Sequence, residues 1–152
     1  MEQVTQNGRK IWSGGMYKKI IVAVDMSAFG KAQHTLQRAA ALSDDGGEII
    51  VLHVVEDVPN YIIIDVPQEL VTDAIRNAEE KLVGLCRTMK LTAFVDIRTG
   101  PPASCILAAA DEHQADLVIV ASHVPNISNY FFGATADRVV RHAKCSVLVE
   151  RR

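Results

Sequence analysis

Leu117-Val118-Ile119-Val120-Ala121-Ser122-His123-Val124-Pro125-Asn126 opens the stretch that decides the fold, and Gly133-Ala134-Thr135 through Ser146-Val147-Leu148-Val149 completes it. Leu117 to Val120 reads as an apolar strand, Ala121 to Asn126 as a short polar loop, and Tyr130-Phe131-Phe132 as an apolar turn. Gly133 follows, then a helix from Thr135 to His142 and a second strand from Ser146 to Val149. Where a strand runs through a glycine-bearing loop into a helix, the first helical N–H groups lack partners within the helix. The helix dipole also favours an anion beside them. The stretch therefore points to an α/β sheet with a seat for a nucleotide.

Working outward, the same alternation fills the chain from Tyr17 on. Ile20-Ile21-Val22-Ala23-Val24 is a β-branched run of the kind covered on both faces. Gly30 to about Leu42 is an Ala-rich helix, and Ser43-Asp44-Asp45-Gly46-Gly47 reads as the turn after it. Ile49 to Val55 is a second buried strand. Leu70, Ala74, Ala78, Leu82, Leu85 and Met89 recur at helical spacing, so a long amphipathic helix is expected there. Ala93 to Arg98 is a shorter strand near a sheet edge, and Pro102 to about His113 a helix with proline in its first turn. Alternating strands and helices joined by short loops mean parallel pairing and right-handed crossovers. The expected fold is a five-stranded doubly wound parallel sheet, Rossmann-like, with helices on both faces.

Composition bounds the function. A chain of 152 residues, 49% hydrophobic and 22% charged, fits one globular domain. A net charge of −2 offers no electrostatic footprint for nucleic acid or an anionic membrane. No apolar run approaches the ~20 residues of a membrane span. The N-terminus lacks the apolar core of a signal peptide, so a cytoplasmic location is expected. Residues 1–15 are polar, carry Trp12 and Gly14-Gly15, and read as a flexible tail before a domain spanning 16–152. Cys86, Cys105 and Cys145 form no Cys-x-x-Cys pair and are expected as buried reduced thiols.

Doubly wound sheets bind ligands beyond the C-terminal strand ends, where strand order reverses. Asp25 ends the first strand, where it could serve a ribose, an adenine or a phosphate-bound metal, or simply cap the following turn. His123 follows the fourth strand without a visible catalytic partner, and His53, inside a strand, reads as a satisfied core histidine. His142, Arg141 and Lys144 suit the dipole at the last helix's C-terminus. Gly133, Ala134 and Thr135 supply the phosphate seat or only a tight turn. The apolar connection Asn60-Tyr61-Ile62-Ile63-Ile64-Asp65-Val66 covers the crevice, packs on a partner subunit, or adds to the core. Neither a P-loop nor a dinucleotide glycine run is present. No catalytic group and no metal-ligand cluster is identified.

These residues together resemble the universal stress protein family from about Met16 to Glu150. Tyr17 to Ser27 is similar to the family's opening strand and its Asp-x-Ser turn. Val51-Leu52-His53-Val54 is similar to its second strand, and Gly100-Pro101-Pro102 with Ile106 to its Gly-x-Pro start of the third helix. Val139 to Val149 is the most specific stretch. ATP-binding members carry Gly-x-His-Gly, a spacer, then Gly-Ser or Gly-Thr. Here those positions hold Ala121, His123, Val124 and Gly133-Ala134, with a spacer one residue shorter and Thr135 one position late. The variant loop resembles that of the F-type subfamily.

The resemblance implies an adenine nucleotide (ATP, ADP or AMP), with magnesium reached through Asp25. Ala23, Val24, Asp25 and Val54 would surround adenine and ribose. Ala121, Ser122, His123 and Val124 would approach sugar and phosphates, with Gly133, Ala134 and Thr135 at the phosphates. It also implies a homodimer pairing through Ser146, Val147, Leu148 and Val149, and a role in stress response with an unidentified protein partner. A nucleotide-free interaction module of the same fold and a slow ATP hydrolase are the alternatives.

Overall fold

Alternate residues of the central strands face opposite cores, which is why their sequence is apolar without a polar face. Ile20, Val22 and Val24 pack with Ile49, Val51, Leu117 and Ile119 on one side of the sheet. Ile21 packs with Ile50, Leu52, Val118 and Val120 on the other. Each such fully buried side chain contributes roughly 1.5–3 kcal/mol relative to leaving it in water.

The computed structural model describes residues 3–6, 9–12, 16–56, 68–122 and 133–151. In chain order the elements are β1 (Gln3–Gln6), β2 (Arg9–Trp12), β3 (Tyr17–Ala23), a 3-10 turn (Met26–Ala28) and α1 (Phe29–Leu42). Then come β4 (Ser43–Val55), α2 (Gln68–Thr88), β5 (Phe94–Thr99), α3 (Pro102–His113), β6 (Leu117–Ser122), α4 (Ala134–His142) and β7 (Ser146–Arg151). The main sheet has five strands in the order β5-β4-β3-β6-β7, and every neighbouring pair in it is parallel. Helices α1 and α2 cover the first core, through Ala32, Leu36, Ala39, Leu82 and Cys86. Helices α3 and α4 cover the second, through Ala103, Ile106, Ala109, Ala136 and Val139. The doubly wound parallel sheet expected from the sequence is the one observed. Among the described residues no helix is long and apolar enough to cross a membrane.

Four expectations change. Ala121 and Ser122, read as the start of a loop, continue β6 because they pair with Glu150 and Arg151 of β7. Ser43 to Gly47, read as a turn, forms the irregular front of β4. The register jumps from Tyr17↔Ser43 to Lys19↔Glu48, and Gly46 takes φ 76° to make the bulge possible. In the tail, Gln3–Gln6 pairs antiparallel with Arg9–Trp12 in a separate two-stranded sheet, which its polar composition did not announce. Of the three cysteines only Cys86 is buried; Cys105 and Cys145 are intermediate. The connection Asn60 to Val66 lies outside the described residues.

Candidate functional site

The carboxyl end of the sheet carries a notch. β3 stops at Ala23, paired with Leu52, while β4 runs on beside β5 to Val55. On the other flank the last β3–β6 pair is Val22↔Ile119, while β6 runs on beside β7 to Ser122. The central strand is thus two to three residues shorter than its neighbours, a step of roughly 7–10 Å at strand rise. The flanking strands lie about two strand spacings apart, roughly 9–10 Å. This is also where strand order reverses, because the chain passes from β3 outward to β5 and then returns to β6.

The floor of the notch is the end of β3. Val24 is buried and Ala23 half-buried, whereas Asp25 is exposed. Asp25 turns the chain: its Oδ1 accepts the Ser27 N–H at 2.8 Å, and its carbonyl accepts the Ala28 N–H at 3.0 Å. Both readings of Asp25 therefore stand together, since the cap uses one carboxylate oxygen and fixes where the group points. The β4 wall supplies half-buried Val54 and His53, whose Nδ1 lies 2.9 Å from the Val24 carbonyl. His53 is satisfied, as expected, but it sits half-buried beside the notch rather than in the core.

The β6 wall supplies exposed Ala121 and half-buried Ser122, and extending the β3–β6 register places Ser122 level with Asp25. Gly133 precedes α4 and offers no side chain to cap it, so Ala134 and Thr135 start the helix without a side-chain acceptor from that position. Both termini of the β6–α4 connection thus face the same end of the sheet. His123, Val124 and Pro125, like Tyr130 to Phe132, lie outside the described residues.

At the end of β7, Glu150 is a carboxylate that the sequence did not single out. Its side chain is only 10% exposed; one oxygen accepts the Thr35 hydroxyl of α1 and the other lies 3.3 Å from Arg38 Nε. Only the spatial meeting of α1 with β7, 115 residues apart, reveals it. By contrast, Arg141 and Lys144 pair with Asp137 and Asp111 on the surface, in keeping with a structural role.

Three cavities lined by described residues lie elsewhere. One of about 370 Å³ lies between α1 and α2, lined by Gln33, Gln37 and Met89 among others. Another of about 680 Å³ lies beside β5 and Cys105, and one of about 290 Å³ beside Lys144 and Cys145. None borders Asp25, Ser122 or Gly133, and none combines a strand-end crevice with an uncapped helix start. The notch is therefore the stronger candidate. Burial raises the Cys86 and Cys145 thiols above their ordinary values and so keeps them protonated and inert at neutral pH. Among the described residues no three His, Cys, Asp or Glu side chains converge to hold a metal.

Against known proteins, the pattern of the universal stress protein family matches residues 16–151. The chain is 30% identical to universal stress protein G of Shigella flexneri, over 90% of this chain and all of that one. Among solved structures, the protein MJ0577 superposes with TM-score 0.74 at 24% identity, over 90% of this chain and 97% of that one. A universal stress protein in complex with cAMP gives TM-score 0.56 at 22% identity, with 91% and 98% covered. One from Archaeoglobus fulgidus in complex with dAMP gives 0.59 at 20% identity, with 88% and 97% covered. At these identities the structures establish the shared fold.

Proposed function

We propose that this chain, which belongs to the universal stress protein family, is a cytoplasmic stress-response protein that holds an adenine nucleotide in the notch. The observation that carries the reading is the short central strand, which leaves a base-sized gap at the topological switch point with the start of α4 at the same end. In this reading adenine and ribose lie against Ala23, Val24, Asp25 and Val54. The phosphates lie by Ala121, Ser122, Gly133, Ala134 and Thr135, with His123 and Val124 contributed by the loop. The complexes of fold relatives with cAMP and dAMP support an adenine ligand.

The chain's own residues act by binding. Asp25 is pre-oriented by Ser27 to meet a polar group of the sugar, and backbone N–H groups at α4 suit an anion without any Lys or Arg. A magnesium ion here would take most of its ligands from phosphates and water. Asp25, the described carboxylate of the notch, is engaged in the Ser27 cap and has no general base paired with it, so any hydrolysis of ATP would be slow. The second reading, a nucleotide-free interaction module, is favoured by Ala134, an exposed residue with no hydroxyl where the family motif has one.

A homodimer through β7 is part of the proposal. β7 is an edge strand, and Val147, Leu148 and Val149 remain only half-buried in the single chain. A second copy pairing there would satisfy the open edge. Leu148→Lys should shift sedimentation from dimer to monomer; an unshifted dimer would place the interface elsewhere.

To test the ligand, freshly purified protein is denatured and the released molecules are separated by ion exchange, and the stripped protein is titrated with AMP and with ATP plus magnesium. Saturable binding that disappears in Gly133→Val is expected. The glycine's φ of −58° suits any residue, so that variant adds bulk over the helix start without backbone strain. A folded wild type that ignores millimolar nucleotide would leave the interaction module.

A further inference from the structure

The ladder between β3 and β4 ends with an exchange of partners. Val24 N–H still donates to the Leu52 carbonyl at 2.8 Å, although Ala23↔Leu52 is the last pair. In an unbroken parallel ladder the Val24 carbonyl would next accept the Val54 amide. Instead, Nδ1 of His53 lies 2.9 Å from that oxygen. A carbonyl oxygen only accepts, so Nδ1 carries the ring proton, and the neutral ring has its bare nitrogen at Nε2. His53 points to the α1/α2 face, because its neighbours Leu52 and Val54 pack on the opposite one. A side chain thus takes the place of a ladder amide at the residue where the chain leaves the sheet for Asp25.

We infer that His53 is a positioning residue of the proposed nucleotide site: its Nδ1–H holds the Val24 carbonyl, so that β3 parts from β4 and the Val24–Asp25 peptide keeps one orientation towards the notch. The inference rests on the nucleotide reading above and goes one step further, to what shapes the gap. With the imidazole donor removed, the half-satisfied carbonyl has an obvious substitute in the Val54 amide. Taking it would extend the ladder by one pair, shorten the notch by roughly 3.3 Å and turn the Asp25 peptide. His53 itself touches no ligand in this account; it acts through Val24 and Asp25.

The side-chain amide of Asn places its N–H where Nδ1 of histidine lies, whereas that of Gln reaches the Nε2 position. This gives a test on the stripped full-length protein, with AMP as the probe. A ¹H–¹⁵N imidazole spectrum of the wild type should show the proton on Nδ1. Calorimetric titration should leave His53→Asn within about twofold of wild-type affinity, while His53→Gln and His53→Leu weaken it about five- to tenfold. Thermal melts confirm that Asn and Gln variants are equally folded at the titration temperature, and that pair decides the matter even where the Leu variant fails to fold. A proton on Nε2, or a Gln variant that binds AMP as tightly as a binding wild type, overturns the inference alone. A folded wild type that ignores AMP overturns both it and the nucleotide reading.

Discussion

At its N-terminal edge the sheet is tied by side chain and backbone together; at its C-terminal edge the same strands are left apart. The Asp116 carboxylate accepts the Lys18 N–H at 2.8 Å and the Lys19 N–H at 2.9 Å, one on each oxygen. Its own N–H donates to the Lys19 carbonyl, its carbonyl accepts the Ser146 N–H, and Met16 N–H reaches the Leu42 carbonyl. This knot joins β3, β6 and β7 at their starts. Opposite, β3 ends short, Asp25 serves a local turn, and the Val24 carbonyl relies on an imidazole. The contrast separates two ends of one sheet: the tied end secures register, and the open end leaves backbone groups free of the ladder at the site proposed for the nucleotide.

The largest effect is expected from Asp116→Ala. It strands two backbone donors at once and should cost about 2 kcal/mol of stability by chemical denaturation. Nucleotide affinity per folded molecule should stay at the wild-type value; a parallel loss of affinity would show that the ends are coupled. Asp25→Ala is the reciprocal change. It should weaken AMP about tenfold, roughly 1.4 kcal/mol, with a smaller loss of stability from the exposed cap. A variant that loses stability but binds normally would make Asp25 a turn residue only.

Thr35→Val removes the hydroxyl that Glu150 accepts across α1 and β7, and a loss of about 1 kcal/mol is expected. A double-mutant cycle with Glu150→Gln should then show non-additivity, since the two side chains share that bond. The smallest effect concerns pH. The hydrogen bond from Arg98 holds the Glu112 carboxyl below the ordinary carboxylate range, aided by the guanidinium charge. A folded-state value below the unfolded one means its contribution is present above the unfolded pKa and is lost as pH falls through the folded one. Glu112→Gln should thus be slightly less stable than wild type at neutral pH, with the difference vanishing as the medium enters the acid carboxylate range. Melting temperatures measured across pH for both proteins decide it.

Much of the architecture was legible because it is local. Alternate burial of Ile20 to Val24 and of Leu117 to Val120 is written in uninterrupted apolar runs, and Pro102 marked the start of α3 because its fixed φ suits a first turn. The glycines of Ser43 to Gly47 misled because a turn and a bulged strand use the same residues, and only pairing with Tyr17 distinguishes them. Asp25 and Ser122 could be found from their place at strand ends, and Gly133 from its place before the last helix. The notch itself could not, since its depth depends on where three strands stop relative to one another.

The amino-acid order was enough for the succession of strands and helices in the main sheet and for their parallel pairing, because hydrophobic period and turn chemistry act over a few neighbouring residues; it left the strand ends one or two residues away from Ala23, Thr99, Ser122 and Arg151. Tertiary structure alone decided that Asp116 would take the amides of Lys18 and Lys19, nearly a hundred positions away in the chain, and that Thr35 would meet Glu150. It also gave His53 to the Val24 carbonyl. A hydrogen bond requires a donor and an acceptor to meet within about 3 Å, and that condition is set by how the strands stack beside one another, not by spacing along the chain.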